Sequence, residues 1–320
     1  MAKIKHTFPK MLNPIPKLNV PIYDLPSNDY HAISGTYSSS QLKDLLDDEQ
    51  IFLAKHVHKT VEKLSISAFD VGTYFHTGVL EPHKLKIDCA VFDGKIRRGE
   101  RWEAFKKKNE GKAIVSPVQI SQAEGLIETV KDSPIAMGYI ERGTPEVSFF
   151  TELIIHGGEI YSAHRGVMLC PERGWINSVV PKDKKAVRVI IKVRADSWGD
   201  DFILDLKSTT GNARSAFSMR QKISYYQYDL SASLYSDMFA LFDGVQRKFV
   251  WTFASKDFHN SKTYVASMSN MLVGRAKYRK ALLKLAECIS NKWQLYDELG
   301  TLEPLGHELE HIKKSDTDFI

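Results

Sequence analysis

The seven residues Phe202-Ile-Leu-Asp-Leu-Lys-Ser208 constrain this chain more tightly than any other stretch. Phe202, Leu204 and Leu206 alternate with Ile203, Asp205 and Lys207, a period of two that predicts a strand. Alternation sends Asp205 and Lys207 to one face and the three larger apolar residues to the other. If so apolar a strand is buried on both sides, its acid and its amine each cost roughly several kcal/mol unless partnered. The two can satisfy each other as a plain salt bridge, or they can serve a ligand. The second reading stays open because of the run before it, Val187-Arg-Val-Ile-Ile-Lys-Val193, also strand-like, which ends in Arg194-Ala195-Asp196. Two strands meeting there would bring two acids and a lysine to adjacent ends, the arrangement that divalent-metal phosphodiester chemistry needs.

The rest of the chain bounds that idea without contradicting it. At 320 residues there is ample length for a sizeable core, and 43% hydrophobic and 26% charged residues are ordinary for a soluble globular protein. No run of about twenty apolar residues occurs, so no membrane span is expected. The opening Met-Ala-Lys-Ile-Lys-His-Thr-Phe-Pro-Lys lacks the apolar centre of a secretory signal. Cys89, Cys170 and Cys288 are isolated and form no C-x-x-C, which argues against zinc and disulfides and for a reducing cytoplasm. A net charge of +5 permits a polyanionic partner without demanding one.

Residues 1–28 hold five of the twelve prolines and little periodicity, and predict an extended arm. Ser38-Ser-Ser40 caps a helix starting at Gln41, and a second helix is expected over Ile66–Leu80, where Gly72 and His76 share a face and Gly72 leaves room for close approach. Residues 95–112 carry eight basic side chains against three acids, with Trp102 and Phe105 at helical spacing. They read as a solvated helix anchored by its aromatics or as a phosphate-contacting patch, and the basic stretches 182–194 and 275–284 fit a DNA-contacting reading equally. Helices are expected at Gln119–Lys131 and Ile135–Ile140, then a strand at Glu146–Ile155, a Gly157-Gly158 hairpin and a strand at Glu159–Ala163. Residues 164–186 read as an inserted hairpin with a basic tip. A long helix over Ala213–Phe239 holds Tyr225, Tyr226, Tyr228 and Tyr235, a bunching that suits core lining. Strands at Arg247–Ala254 and Thr263–Met268, a helix from Ser269 to Tyr296 and a polar tail complete the chain. That order makes an α/β protein with a mixed sheet.

Taken together these motifs resemble the exodeoxyribonuclease VIII (RecE-like) branch of the PD-(D/E)xK nucleases. The resemblance spans Asp29 to Tyr296. It rests on Asp29-Tyr30-His31 with Ser34 and Ser38-Ser-Ser-Gln-Leu42, and on Gly72-Thr-Tyr-Phe-His76 with Leu80-Glu-Pro82. It continues through Pro145-Glu146-Val-Ser148, Arg194-Ala-Asp196, Asp205-Leu-Lys207, and the tyrosines ending in Tyr235-Ser-Asp237. Ser231 stands where the family usually has glutamine, with Gln227 one turn back, and the spacing from Glu146 to Asp196 is wide because of residues 156–186.

The resemblance implies a restriction-endonuclease-like core with a mixed central sheet flanked by helices. It spans residues 29–298 as one domain, between the 1–28 arm and a 299–320 tail, with 156–186 as an insertion. It implies Asp196, Asp205, Lys207 and Glu146 as catalytic residues, Glu152 being the competitor of Glu146 on the same strand. His76, Asp196, Asp205 and the Leu206 carbonyl would hold Mg2+, or Mn2+. Arg97, Arg98, Arg101, Arg194, Arg214, Arg220 and Tyr228 are expected to touch DNA. The implied activity is 5′→3′ exonuclease action on linear double-stranded DNA in phage or prophage recombination, in a bacterial or phage-infected cytoplasm. A ring-shaped trimer or tetramer and a single-strand annealing protein are the implied partners. Cleavage of single strands, flaps or internal sites is the competing enzymatic reading, and a catalytically weak DNA-binding assembly protein the non-enzymatic one.

Overall fold

A computed structural model describes residues 14–61, 67–94 and 96–293. The start of the arm, Lys95, the end of the last helix at Tyr296 and the polar tail lie outside the described residues.

The sheet is built from β1 (Thr144–His156), β2 (Glu159–Ser162), β3 (Val167–Cys170), β4 (Gly174–Asn177), β5 (Val187–Trp198), β6 (Phe202–Thr209), β7 (Lys248–Ser255) and β8 (Ser261–Val265). Their order across the sheet is β8-β7-β6-β5-β1-β2-β3-β4. β6 and β7 run parallel, and Thr36–Tyr37 adds a short parallel pairing on β5; the other neighbours are antiparallel. This is the mixed sheet anticipated from the pattern. The 164–186 region is a hairpin, β3 and β4, that continues the sheet beyond β2. Gly157 and Gly158, at φ 58° and 79°, make the β1–β2 turn, where both positions need left-handed backbone.

The helices that matter are α1 (Ser39–Asp47), α2 (Ser67–Leu80), α3 (Glu100–Lys108), α4 (Pro117–Lys131), α5 (Pro134–Arg142), α6 (Ala216–Tyr225), α7 (Tyr228–Asp243) and α8 (Met268–Ser290). Local chemistry sets several starts. Ser116 and Gln119 form a reciprocal capping box at α4 with Pro117 in its first turn, and Ser267 and Asn270 do the same at α8.

Each face of the sheet is buried under helices. On one face Phe149, Ile191, Val193, Ile203, Trp251 and Phe253 meet Leu42 of α1, Leu234 and Phe239 of α7, and Tyr278 and Leu282 of α8. On the other, Leu206 and Ala254 meet Phe75 and Val79 of α2 and Leu126 and Val130 of α4. Full burial of each large apolar side chain contributes on the order of 1.5–3 kcal/mol, so these two layers hold the sheet. Alternation in β6 therefore does what its sequence demanded: Leu206 enters the α2/α4 layer, while Asp205 and Lys207 share the face of α7. α7 and α8 approach closely because a Cβ at Gly274 would collide with the Asp229 carbonyl.

Two expectations are corrected. The Ala213–Phe239 helix is two helices, parted at Tyr226–Gln227, where Gln227 is left-handed at φ 50°. No glycine or proline marks that break. Gly72 makes no close approach; nothing lies within 4 Å of where its Cβ would be, and it is Gly78 that sits against Ile127. The described part of the arm docks on the sheet: the Asn19 and Ile22 backbone N–H groups donate to the Phe150 and Ser148 carbonyls of β1 at 2.7 and 2.8 Å. Ile15, Leu18, Ile22 and Leu25 pack there on Tyr30, Ile33 and Phe150.

Candidate active site

Glu146 and Asp196 face each other across β1 and β5, between the paired residues Pro145–Ser197 and Val147–Ala195. Here the alternation of β5 slips. Ala195 lies in the α7/α8 core and Trp198, an odd number of positions later, packs against the same core. Glu146 is itself left-handed inside a strand, at φ 55°. For a residue with a Cβ that conformation costs roughly 1–3 kcal/mol, and it persists because strand pairing on both sides holds it. The slip brings the two carboxylates together with His76 of α2, the potential ligand atoms of all three lying within 4.8 Å of one another. His76 Nδ1 is 3.5 Å from Asp196 Oδ2. The same Asp196 oxygen accepts a hydrogen bond from the Leu206 backbone N–H at 2.7 Å, which ties the Asp205-Leu206-Lys207 strand to the cluster.

Burial, and then the charge of Asp196, push the Glu146 carboxyl up to about 7. Arg194 opposes this, its Nε 2.6 Å from Glu146 Oε2. Arg194 is anchored in turn by the Leu25 carbonyl at 2.7 Å and stands over the Tyr30 ring. Two half-buried carboxylates that repel each other beside one imidazole nitrogen form a donor set suited to Mg2+ or Mn2+, and a cation there would relieve that repulsion.

Asp205 and Lys207 pair on the α7 side, Nζ to Oδ1 at 2.6 Å. Burial alone would lower the Lys207 amine; the Asp205 and Asp196 charges override it and hold it protonated. Burial and Asp196 raise Asp205, with Lys207 pulling the other way. The Tyr228 ring, its hydroxyl pushed up to about 12 by burial, lies 5.4 Å from Lys207 Nζ and equally 5.4 Å from the amine of Lys43. Lys43, on α1, was missed by the sequence reading. Burial and then Lys207 push its amine down to about 8, and among the described residues no acid forms an ion pair with it. The available signal was its place directly after Ser38-Ser-Ser-Gln-Leu42, on the helix face next to Ser39, which contacts Tyr235 at 3.4 Å.

The fold has counterparts among known proteins. Residues 38–159 and 181–294 match the family described as a PDDEXK-like domain of unknown function (DUF3799). The chain belongs to that family. A crystal structure of a "putative exonuclease" from Eubacterium rectale has a similar fold, with a TM-score of 0.52 and 14% identity over 90% of this chain and 98% of that one. No curated protein matches the sequence. The matches reach the PD-(D/E)xK nuclease superfamily and stop short of its exodeoxyribonuclease VIII branch.

Within this PDDEXK-like domain the anticipated site residues divide. His76, Glu146 and Asp196 form the cluster; Asp205 stands outside it, turned to Lys207. Glu152 is taken by Arg188 at 2.6 Å, which leaves Glu146 as the strand's acid at the site. Of the residues expected to touch DNA, Arg97 is committed to the Ile114 carbonyl and Gln119, Arg101 to Asp93, and Arg194 to Glu146. Arg98, Arg214 and Arg220 are exposed, and Tyr228 covers Lys207. Within the 95–112 stretch, α3 is held by Trp102 and Phe105 against Phe92, as the solvated-helix reading expected. In the 275–284 stretch Arg275, Lys277, Arg279 and Lys284 are each paired with an acid. Asp237 belongs to the core, gripped by Arg275 at 2.7 and 2.9 Å and by the Tyr278 hydroxyl at 2.6 Å. Among the described residues no helix is long and apolar enough to cross a membrane.

Proposed function

We propose that the chain is a divalent-metal-dependent deoxyribonuclease that degrades linear double-stranded DNA from its 5′ ends, in recombination of the phage type. The observation that carries this reading is a single hydrogen bond. Through Leu206 N–H and Asp196 Oδ2, an acid–acid–imidazole cluster is joined to a buried Asp205–Lys207 pair. His76, Glu146 and Asp196 would hold a divalent ion, which supplies charge relief to the phosphate oxygens and acidity to water. The chain's own groups do the rest. Lys207, kept protonated, is a fixed donor that orients water and offsets phosphate charge rather than removing a proton. Asp205 fixes where that ammonium points, and Tyr228 limits its access to solvent. Arg194 steadies Glu146 in its left-handed geometry.

Lys43 is the second cation of the site, and a scissile or neighbouring phosphate is the anion it lacks. Lys43→Ala is expected to slow nucleotide release by about tenfold to a hundredfold without lowering the melting temperature, since burial and Lys207 outweigh the pull of Asp205 and Asp229 on its charge. Wild-type rates in that variant would place Lys43 outside the machinery. The function itself is tested with linear duplex labelled at either end and with covalently closed circles, in Mg2+ and then Mn2+. Early loss of the 5′ label and intact circles are expected. Cut circles would replace the exonuclease with an internal nuclease, and tight binding without cleavage would leave a DNA-binding protein.

A further inference from the structure

Beside the site runs an open groove of about 590 Å³, walled by Tyr225, Tyr226, Gln221 and Lys222 on one side and Thr210 and Asp257 on the other. Its size is that of a small-ligand pocket. Contrary to the core-lining expectation, Tyr225 is 80% exposed and Tyr226 46%. Their rings meet edge to face at 4.9 Å, and Tyr226 in turn stacks on Tyr228 at 5.4 Å and 22°. Tyr228 faces Lys207. Three tyrosines thus form a stair from solvent to the Asp205–Lys207 pair, and the left-handed Gln227 makes it: the helix break keeps Tyr225 and Tyr226 outside while Tyr228 turns inward.

The charges inside the groove are tethered and opposed. Lys222 donates to the Thr210 hydroxyl at 3.0 Å, and Asp257 accepts from the Gly211 backbone at 2.8 Å. A phosphate track would show an excess of free cations here; this surface offers aromatic faces and polar edges instead. Arg214, just before α6, and Arg220, within it, are exposed and carry the positive charge outside the lining. The complement of such a groove is a flat π system with hydrogen-bonding edges and a charged backbone beside it. We propose that the groove takes an unpaired base of the nucleic-acid strand that enters the site, stacked on the exposed ring of Tyr225 with Tyr226 closing one edge. Bases inside a duplex have both faces covered, so the groove admits a single strand or a frayed end. That the strand held is the strand cut rests on the nuclease reading above; the binding itself does not.

The test measures binding in EDTA, where no metal-dependent cleavage occurs. Fluorescence polarisation follows a fluorescein-labelled oligo(dT) of about 12 nucleotides and a blunt duplex of about 20 base pairs. The full chain is compared with Tyr225→Ala, with Tyr225→Ala/Tyr226→Ala and with the double phenylalanine variant, which keeps the rings. Stacking is worth about tenfold per base, so the single alanine variant is expected to lose about tenfold in oligo(dT) affinity and the double variant at least as much. The phenylalanine variant should stay within about twofold and duplex affinity within about threefold for all. The proposal falls if the wild type does not bind oligo(dT), or if the alanine variants bind it normally. It falls equally if duplex and oligo(dT) weaken together, or if phenylalanine fails to preserve binding. Should the double alanine variant not fold by circular dichroism, Tyr225→Ala decides, because so exposed a ring can be removed without opening the core. Since the assay contains no active metal, an inactive nuclease and an empty groove give separable results.

Discussion

Lys207→Ala is expected to abolish Mg2+-dependent release of nucleotides from linear duplex, by a factor of about 10³ or more. The amine is the one group of the Asp205-Leu206-Lys207 strand that can meet both water and phosphate, and Asp205 at 2.6 Å leaves it no freedom to be replaced by a neighbour. The same change removes the partner of a buried carboxylate, so unfolding must be measured with activity. A loss on the order of 3 kcal/mol is expected at neutral pH, part of it recovered at acid pH as Asp205 takes up a proton. Lys207→Arg separates the two effects. A guanidinium can keep Asp205 paired and the chain folded, but it cannot put a compact ammonium at the same point. Its melting temperature should lie near wild type while activity stays low. Full activity in Lys207→Ala would end the nuclease reading of this site.

The strand Phe202–Thr209 was legible because a period of two and the cost of buried charge act within a few residues. They gave the shared face of Asp205 and Lys207 and the entry of Leu206 into the opposite layer. Both readings of the pair then proved compatible: it is a salt bridge, and it lies one hydrogen bond from a cluster that suits a cation. Other features depended on contacts that sequence periodicity does not carry. The left-handed turn at Glu146 follows no local signal, since glutamate has no preference for it, and only pairing with β5 imposes it. Parity along β1 made Glu152 an equal competitor; the slip at Glu146–Asp196 and the ion pair with Arg188 removed it. Lys43 and the split at Gln227 were invisible for the same reason: each is fixed by what α7 does beside β6, some 160 residues or more from α1. Basic residues misled in the opposite direction, because a run such as 275–284 shows its charges in sequence and hides the acids that neutralise them.

Glu146→Gln is expected to stabilise the metal-free protein at alkaline pH and to remove its response to divalent ions. The carboxyl, raised to about 7 from the ordinary 4.5, keeps its proton in the folded chain where the unfolded chain has already lost it. Stability therefore falls as pH rises from about 4.5 to about 7, and the penalty stays in full above that window. Glutamine has the same length and presents no charge to Asp196, so at pH 8 it should recover on the order of 2 kcal/mol, and near pH 4 almost nothing. The figure is below the full shift because the side chain is a quarter exposed and glutamine forfeits the ion pair with Arg194. Backbone strain is common to both proteins, since either residue has the same Cβ. Mg2+ or Mn2+ should reverse the order: an ion bound to the folded wild type raises its melting temperature, and the variant, with one carboxylate fewer, gains little. Melting curves from pH 4 to 8 with EDTA, Mg2+ or Mn2+ read both effects. A variant less stable than wild type at pH 8 in EDTA would mean that Arg194 already neutralises Glu146, and an equal rise with Mg2+ in both proteins would place the ion away from it. The expected crossing of the two curves would instead show a site that gives up stability in the empty protein to hold a cation.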